Sequence, residues 1–318
     1  MLKFKINQDL PALPTGQAGG RQVLTPQKQY PKLATILGLK TELWLKREDL
    51  HPLGSHKGRS LPVMINQHAA RGARNFVISS SGNAALAALL YIKKHNQNKA
   101  SPKINLTIFV GPKIPSQKLA KLLKTAPSKN IVIKQTQNPK QSAFQFAKNN
   151  GVVFLRQSTD KFAPLGYQEL AAELAKIKNL GAIFVPTSSG TTAVGLYAGF
   201  KKLNKSIKIF IVQTTSCHPF VGNAYMRSLP EKKEVSLATA IVDHIAHRKA
   251  EILKLLKTTA GKGLVVNNSE IISSQKLVAN HCLLNISPNS ALSIAGLRQA
   301  IKNGSVFARP VVCLITGD

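Results

Sequence analysis

Nine short apolar runs, separated by longer amphipathic stretches, limit this chain to one broad class of fold. The runs are Leu43–Lys46, Asn75–Ser79, Leu106–Val110, Ile131–Lys134, Val152–Leu155, Ala182–Val185, Ile207–Val212, Leu264–Val266 and Val311–Ile315. Their length and β-branched content mark them as strands. Several are continuously apolar instead of alternating, so both faces are buried, as in parallel sheets covered by helices. The stretches between them include Ser116–Leu123, Ala143–Asn149, Gly166–Ile177 and Ala246–Leu256, all with helical spacing of apolar residues. The alternation predicts an α/β protein with twisted, mostly parallel sheets flanked by helices. Residues 1–20 have no clear period and read as an irregular arm, and Pro31 to Leu39 reads as a short helix stopped by Gly38. At 318 residues the chain has length for about two domains.

Three strand ends carry loops of unusual composition. Leu43-Trp44-Leu45 leads into Glu48-Asp49-Leu50-His51-Pro52-Leu53-Gly54-Ser55-His56-Lys57-Gly58-Arg59-Ser60. Leu53-Gly54-Ser55 reads as a turn, with Ser55 able to cap the helix that follows. Lys57 then falls in the first helical turn, held as a nucleophile must be, although a lysine there is also an ordinary surface group. The strand ending at Ser79 runs into Ser80, Ser81, Gly82 and Asn83 at the head of a helix. Unpaired N–H groups there suit a carboxylate, and a plain serine cap is the simpler alternative. The strand Ala182–Val185 runs into Thr187-Ser188-Ser189-Gly190-Thr191, small residues whose backbone can close round a phosphate or simply cap a helix.

Together these segments resemble fold-type II pyridoxal-phosphate (PLP) enzymes, the tryptophan synthase β-like superfamily, with threonine synthase and threonine dehydratase nearest in pattern. Lys46-Arg47-Glu48-Asp49 through Ser60 resembles the segment bearing the Schiff-base lysine, which assigns Lys57. Ser80-Ser81-Gly82-Asn83 resembles the loop that presents donors to a substrate carboxylate, with Asn83 also meeting the cofactor's phenolic oxygen. Thr187 to Thr191 stands at the phosphate loop, with Thr187 and Ser189 where glycines are usual. Ala163-Pro164-Leu165-Gly166-Tyr167-Gln168-Glu169-Leu170-Ala171 resembles the helix opening the second half, and Glu169 and Glu173 are expected on an exposed turn. Ile286-Ser287-Pro288 opens a segment similar to another helix of the branch, with Ser287 in place of the common Glu. Val311 to Asp318 resembles the strand end whose hydroxyl, here Thr316, meets the pyridine nitrogen. Threonine synthases continue for a short segment past the point corresponding to Asp318.

The resemblance runs from about Thr25 to Asp318 and implies three parts. Residues 1–42 form an arm on the larger domain, 43–160 a smaller α/β domain bearing Lys57, and 161–318 a larger one bearing the phosphate loop, with the cofactor between them. Lys57 would hold the cofactor aldehyde and then act as base at Cα. A lysine pKa near ~10.4 must fall for that work, by desolvation and by Arg59 in acid-free surroundings. A neutral hydroxyl at the ring nitrogen favours elimination or replacement over transamination. The implied activity is a threonine synthase- or dehydratase-like lyase or transferase acting on an amino acid, including a phosphorylated one. His56 either lines the site or packs beside it.

Charge and cysteine content bear on partners. Lys and Arg number 44 against 13 Asp and Glu, and Leu50 to Thr159 holds 17 basic residues and no acid. Such a field attracts anions, including nucleic acid. The lysines are scattered, however, and aromatic residues are not interleaved with them as a single-strand platform requires, so nucleic acid is not the expected partner. A lysine bias of the source proteome explains the charge as well as a partner does. Cys217, Cys282 and Cys313 are odd in number and lack zinc spacing, which fits reduced thiols and no metal site. No run is long enough to span a bilayer and no secretory leader is visible, so a cytoplasmic protein is expected. A homodimer is one possible assembly, and the sequence leaves it open. Competing with the active enzyme are a PLP-binding protein with reduced or lost catalysis and a basic nucleic-acid-binding protein on the same fold.

Overall fold

A computed structural model describes residues 23–221 and 234–317. The arm expected over residues 1–20 lies outside the described residues, as does Asp318. Two sheets form. The larger has six strands in the order β1 (Gln27–Gln29), β2 (Leu43–Arg47), β10 (Val311–Ile315), β7 (Ala182–Pro186), β8 (Lys208–Thr214) and β9 (Gly263–Val266). The smaller has four, β5 (Ile131–Gln135), β4 (Asn105–Val110), β3 (Asn75–Ser79) and β6 (Val153–Phe154). Every pairing is parallel except that of β1 with β2. All nine expected strands are present with small shifts at their ends. The tenth, β1, is the polar Gln27-Lys28-Gln29 at a sheet edge, where no apolar pattern is needed.

Burial on both faces explains the continuous apolar runs. In β7, Ala182 and Phe184 face one core with Phe210, Leu292 and Ala295, while Ile183 and Val185 face another with Tyr167, Leu196 and Phe200. These cores hold α9 (Asn268–Cys282) and α10 (Pro288–Lys302) on one side, and α6 (Tyr167–Leu174), α7 (Thr191–Lys202) and α8 (Lys249–Thr259) on the other. The short helix α1 (Pro31–Ile36) adds Leu33 and Ala34 to the first core. In the smaller sheet, Phe76, Ile78, Leu106 and Ile108 pack on α2 (Lys57–Ala69), α3 (Asn83–Gln97) and α4 (Ser116–Thr125). Val77 and Phe109 pack on α5 (Pro139–Asn150) across the opposite face.

The sheets do not divide where the sequence suggested. Leu43–Arg47, expected to open the smaller domain, pairs with β10 over its whole length and so belongs to the larger sheet. The reason is register: Leu43 and Leu45 fill the core that Val311 and Cys313 fill from the neighbouring strand.

Helix α2 joins the two halves. Leu61, Met64 and Ile65 lie in the smaller core together with Ala163, while its first turn also reaches the larger half, through Glu173. Ser60 donates to the Ala163 carbonyl at 2.8 Å. Gly166 approaches so closely that a Cβ there would lie 2.0 Å from the Arg59 carbonyl oxygen. Beneath that turn Arg59 donates to Glu48 at 2.8 and 3.0 Å and pairs with Glu173, which also pairs with Lys46. Thr25 donates its hydroxyl to Glu48. All four charges are buried. Glu169 is exposed as expected, but Glu173 is 2% exposed. One turn along α6 from Glu169, it faces β2 and α2 instead of solvent.

Candidate active site

The loops singled out in the sequence all leave the carboxyl ends of parallel strands, where ligands bind in open α/β sheets. β2, β3, β7 and β10 feed them, and they meet in one cleft of about 890 Å³ between the sheets. Its walls include Lys57, the run Ser80 to Asn83, the run Thr187 to Thr191, and Thr316. Every residue expected at the site is therefore brought to the same cavity.

Lys57 stands first in α2. The turn before it is made by Gly54 at φ +87°, and Ser55 accepts the Lys57 backbone N–H at 3.3 Å. The amine faces the cleft, partly exposed, with no hydrogen bond or ion pair among the described residues. Burial lowers its pKa to about 8, and the carboxylate of Asp243 opposes that fall. Arg59, expected to lower it, has no part in the shift and is instead paired with Glu48 and Glu173. Neither are the surroundings acid-free. Asp243 arrives from a segment distant in sequence and, among the described residues, is the only Asp or Glu lining the cleft.

His56 both packs and lines the cleft. Its Nδ1–H donates to the Thr316 carbonyl at 3.0 Å, its backbone N–H to the same oxygen at 3.1 Å, and its ring stacks 6.1 Å from Tyr167. Burial, then the charge of Lys57, lowers its pKa to about 3, so the ring is neutral. The Thr316 hydroxyl lines the cleft with no partner among the described residues. Ser287, where an acid was lost, caps α10 instead. It accepts the Ser290 N–H at 3.2 Å and donates to the Gly317 carbonyl at 2.9 Å, which fixes the strand end bearing Thr316.

At the head of α3, Ser80 accepts the Gly82 N–H at 3.2 Å. The backbone N–H groups of Ser81, Asn83 and Ala84 have no acceptor among the described residues, and neither side chain of Ser81 and Asn83 has a partner there. At the head of α7, only Gly190 takes positive φ, +82°. Thr187 and Ser189 therefore replace glycine without strain. Thr187 spends both donors on protein, its N–H on Val212 and its hydroxyl on Val185, each at 2.8 Å. It shapes the loop and leaves no donor for a ligand. Ser188 accepts the N–H groups of Val242 and Asp243 at 3.2 Å. Ser189 donates to the Thr191 hydroxyl at 2.9 Å, which donates to the Gln157 carbonyl at 3.0 Å. The N–H groups from Ser188 to Ala193 have no acceptor among the described residues, and Val194 makes the first helical bond, to Gly190 at 3.0 Å. That array is an anion cradle made of backbone.

Sequence reasoning missed Asp243 and Asn289, both in the cleft wall, and Arg248 behind the cradle. The segment from residue 234 to 248 has no regular element, so no periodic signal marks it. Lys113, Lys118, Lys140 and Arg156 also line the cleft, which gives the acid-free stretch a local meaning. No helix among the described residues is long and apolar enough to cross a membrane.

Residues 21–317 match the profile of a family described as "Pyridoxal-phosphate dependent enzyme". The threonine synthase of Methanocaldococcus jannaschii is 24% identical over 306 residues, 92% of this chain and 74% of that protein. The L-serine dehydratase/L-threonine deaminase of Mus musculus is 25% identical over 283 residues, 86% of this chain and 82% of that protein. Among solved structures, a pyridoxal 5'-phosphate-dependent aspartate racemase superposes with a TM-score of 0.77 at 21% identity, covering 92% of this chain and 89% of that one. At that identity the superposition speaks for the fold alone.

The donor set fits pyridoxal phosphate. Among the described residues the Lys57 amine has no partner and lines the cleft, a row of open N–H groups stands at one helix head for a phosphate, and the Asn83 amide and Thr316 hydroxyl are free for the ring. With that chemistry in one cleft and the family profile spanning nearly the whole chain, this protein belongs to the pyridoxal-phosphate dependent enzymes.

Proposed function

We propose that the chain is an amino-acid lyase or transferase of threonine synthase or dehydratase type, removing or replacing a β or γ group. The observation carrying this reading is the convergence of the Lys57 amine, the Thr316 hydroxyl and the α7 cradle on one cleft. Curated relatives named as threonine synthase and serine/threonine dehydratase support it. When bound, the cofactor supplies an electron sink for charge at the substrate's Cα. Lys57 would hold its aldehyde carbon and, once displaced, take the proton from Cα. At a pKa of about 8 a useful fraction of that amine is free near neutral pH. The N–H groups from Ser188 to Thr192 would hold the phosphate, with the Ser188 hydroxyl able to donate as well. Thr316 would face the ring nitrogen with a neutral hydroxyl, and Asn83 the phenolic oxygen. The head of α3, with Ser80, Ser81, Gly82 and Asn83, would receive the substrate carboxylate. Lys113, Lys118, Lys140 and Arg156 favour a substrate with a further anionic group, such as a phosphorylated amino acid.

Borohydride treatment of protein loaded with pyridoxal phosphate should leave a mass tag on Lys57 and on no other lysine. Serine, threonine and phosphohomoserine are then assayed for ammonia, keto acid or phosphate release. A tag elsewhere sinks the site assignment. A correct tag with no release from any of the three sinks the proposed activity.

A further inference from the structure

Two buried arginines in this molecule are treated very differently. Arg59 is matched by two buried carboxylates, Glu48 and Glu173. Arg248 is 7% exposed and spends its donors mainly on neutral oxygens. Nη2 donates to the Asp160 carbonyl at 2.7 Å and to the Gln157 carbonyl at 3.1 Å, and Nε to the Thr191 hydroxyl at 3.3 Å. Among the described residues its one carboxylate partner is Glu251, at 3.2 and 3.3 Å, whose side chain is 48% exposed. The Asp160 carboxylate is turned away, to His68 and the Phe162 N–H. Solvent weakens an ion pair as exposed as that with Glu251, so most of the Arg248 charge stays uncompensated on the protein side.

Its position adds to that imbalance. Arg248 is the N-cap of α8 and touches the first residue of α7, so a cation sits where two helix N-termini meet. Cations are disfavoured at such ends and anions favoured. The first turn of α8 packs directly on the cradle, since a Cβ on Gly190 would lie 3.0 Å from Ile252. The N–H groups from Ser188 to Thr192 belong to residues that line the cleft beside the same turn. A buried charge is tolerated when something pairs with it.

We propose that Arg248 is a positioning residue for the cofactor's phosphate: it braces Thr191 at the head of α7 and gives the cradle a positive charge that an anion in the cleft balances. Its guanidinium lies behind the loop and does not line the cleft, so it acts through Thr191 and through its field. The bond it makes also keeps the Thr191 hydroxyl donating to Gln157. Phosphate therefore meets backbone N–H groups and not a shifting set of hydroxyls. This rests on the cradle holding the phosphate, as proposed above.

The test compares two ligands that share ring and aldehyde, pyridoxal phosphate and pyridoxal. Their dissociation constants are measured by absorbance titration on the wild type, Arg248→Met, Arg248→Lys and Glu251→Gln. Arg248→Met should weaken pyridoxal phosphate about tenfold or more, the scale of one charge-assisted hydrogen bond, and leave pyridoxal within about twofold. Arg248→Lys should fall between. Glu251→Gln alters only an exposed partner and should tighten pyridoxal phosphate about twofold with pyridoxal unmoved, which decides the matter even if Arg248→Met does not fold. Equal losses for both ligands, no loss for either, or weaker phosphate binding in Glu251→Gln would overturn the proposal. A wild type that takes up neither ligand would instead overturn the reading of the cleft.

Discussion

Lys57 holds its proton far less tightly than a lysine in water, because its amine sits in a cleft with one carboxylate to offset desolvation. Only the uncharged amine attacks an aldehyde. With a pKa of about 8, cofactor capture by apoprotein should quicken about tenfold per pH unit below that value and level off above it. A stopped-flow absorbance series across pH reads this directly, and a midpoint near the ordinary lysine value would contradict it. Glu173 offers a second test at this scale. It balances Lys46 and Arg59 in a buried cluster, so Glu173→Gln strands a charge and should cost about 3–5 kcal/mol of stability. Urea unfolding measures it, and a loss below about 1 kcal/mol would show that the cluster relaxes.

Helix α2 is the element that carries function from one half of the molecule to the other. Its apolar face belongs to the smaller core, yet Arg59 ties its first turn to Glu173 of the larger half. Lys57 is therefore held in the frame of the six-stranded sheet, the one that also carries Thr316 and the α7 cradle. Contact with the 163–166 turn depends on the bare Cα of Gly166. Gly166→Ala should push that turn from α2 and cost about 1–3 kcal/mol. It should also slow borohydride tagging of Lys57, which a defect confined to the larger core would not do. Unchanged stability and tagging together would remove α2 from this role.

For the whole molecule, three buried groups make the fold sensitive to acid. Burial lowers the pKa of His51 to about 4 and that of His56 to about 3. Both bind protons more readily when unfolded, so stability is lost as pH falls from about 6.5 toward those values. Glu48 acts in the same direction. Burial pushes its carboxyl up, but the hydrogen bonds and charge of Arg59 outweigh that and hold it low. Its contribution is present above the usual carboxylate range and lost as pH falls through the folded value. Melting temperature should drop steadily below about pH 6.5, and a flat profile from neutral pH to about 4 would refute this linkage. The net charge of +31 acts over longer distances. With Lys113, Lys118, Lys140 and Arg156 on the cleft wall besides Lys57, kcat/KM for a phosphorylated amino acid should fall with added salt more than that for serine. Equal salt dependence would place the field elsewhere.

The period of the apolar runs was enough for the fold class, since strands buried on both faces cannot read otherwise. Loop composition marked the helix heads and turns, which are local structures written in adjacent residues, and the resemblance of those loops to family motifs then pointed to Lys57, Asn83, Gly190 and Thr316. What was not local stayed hidden. Pairing of β2 with β10, 268 positions apart between Leu43 and Val311, moved the sheet boundary. Burial of Glu173, the arrival of Asp243 beside Lys57 and the bracing of Thr191 by Arg248 also depend on distant partners. A charged side chain takes its meaning from the charge it meets. Chain order lists the residues, but only the packed tertiary structure decides which of them meet.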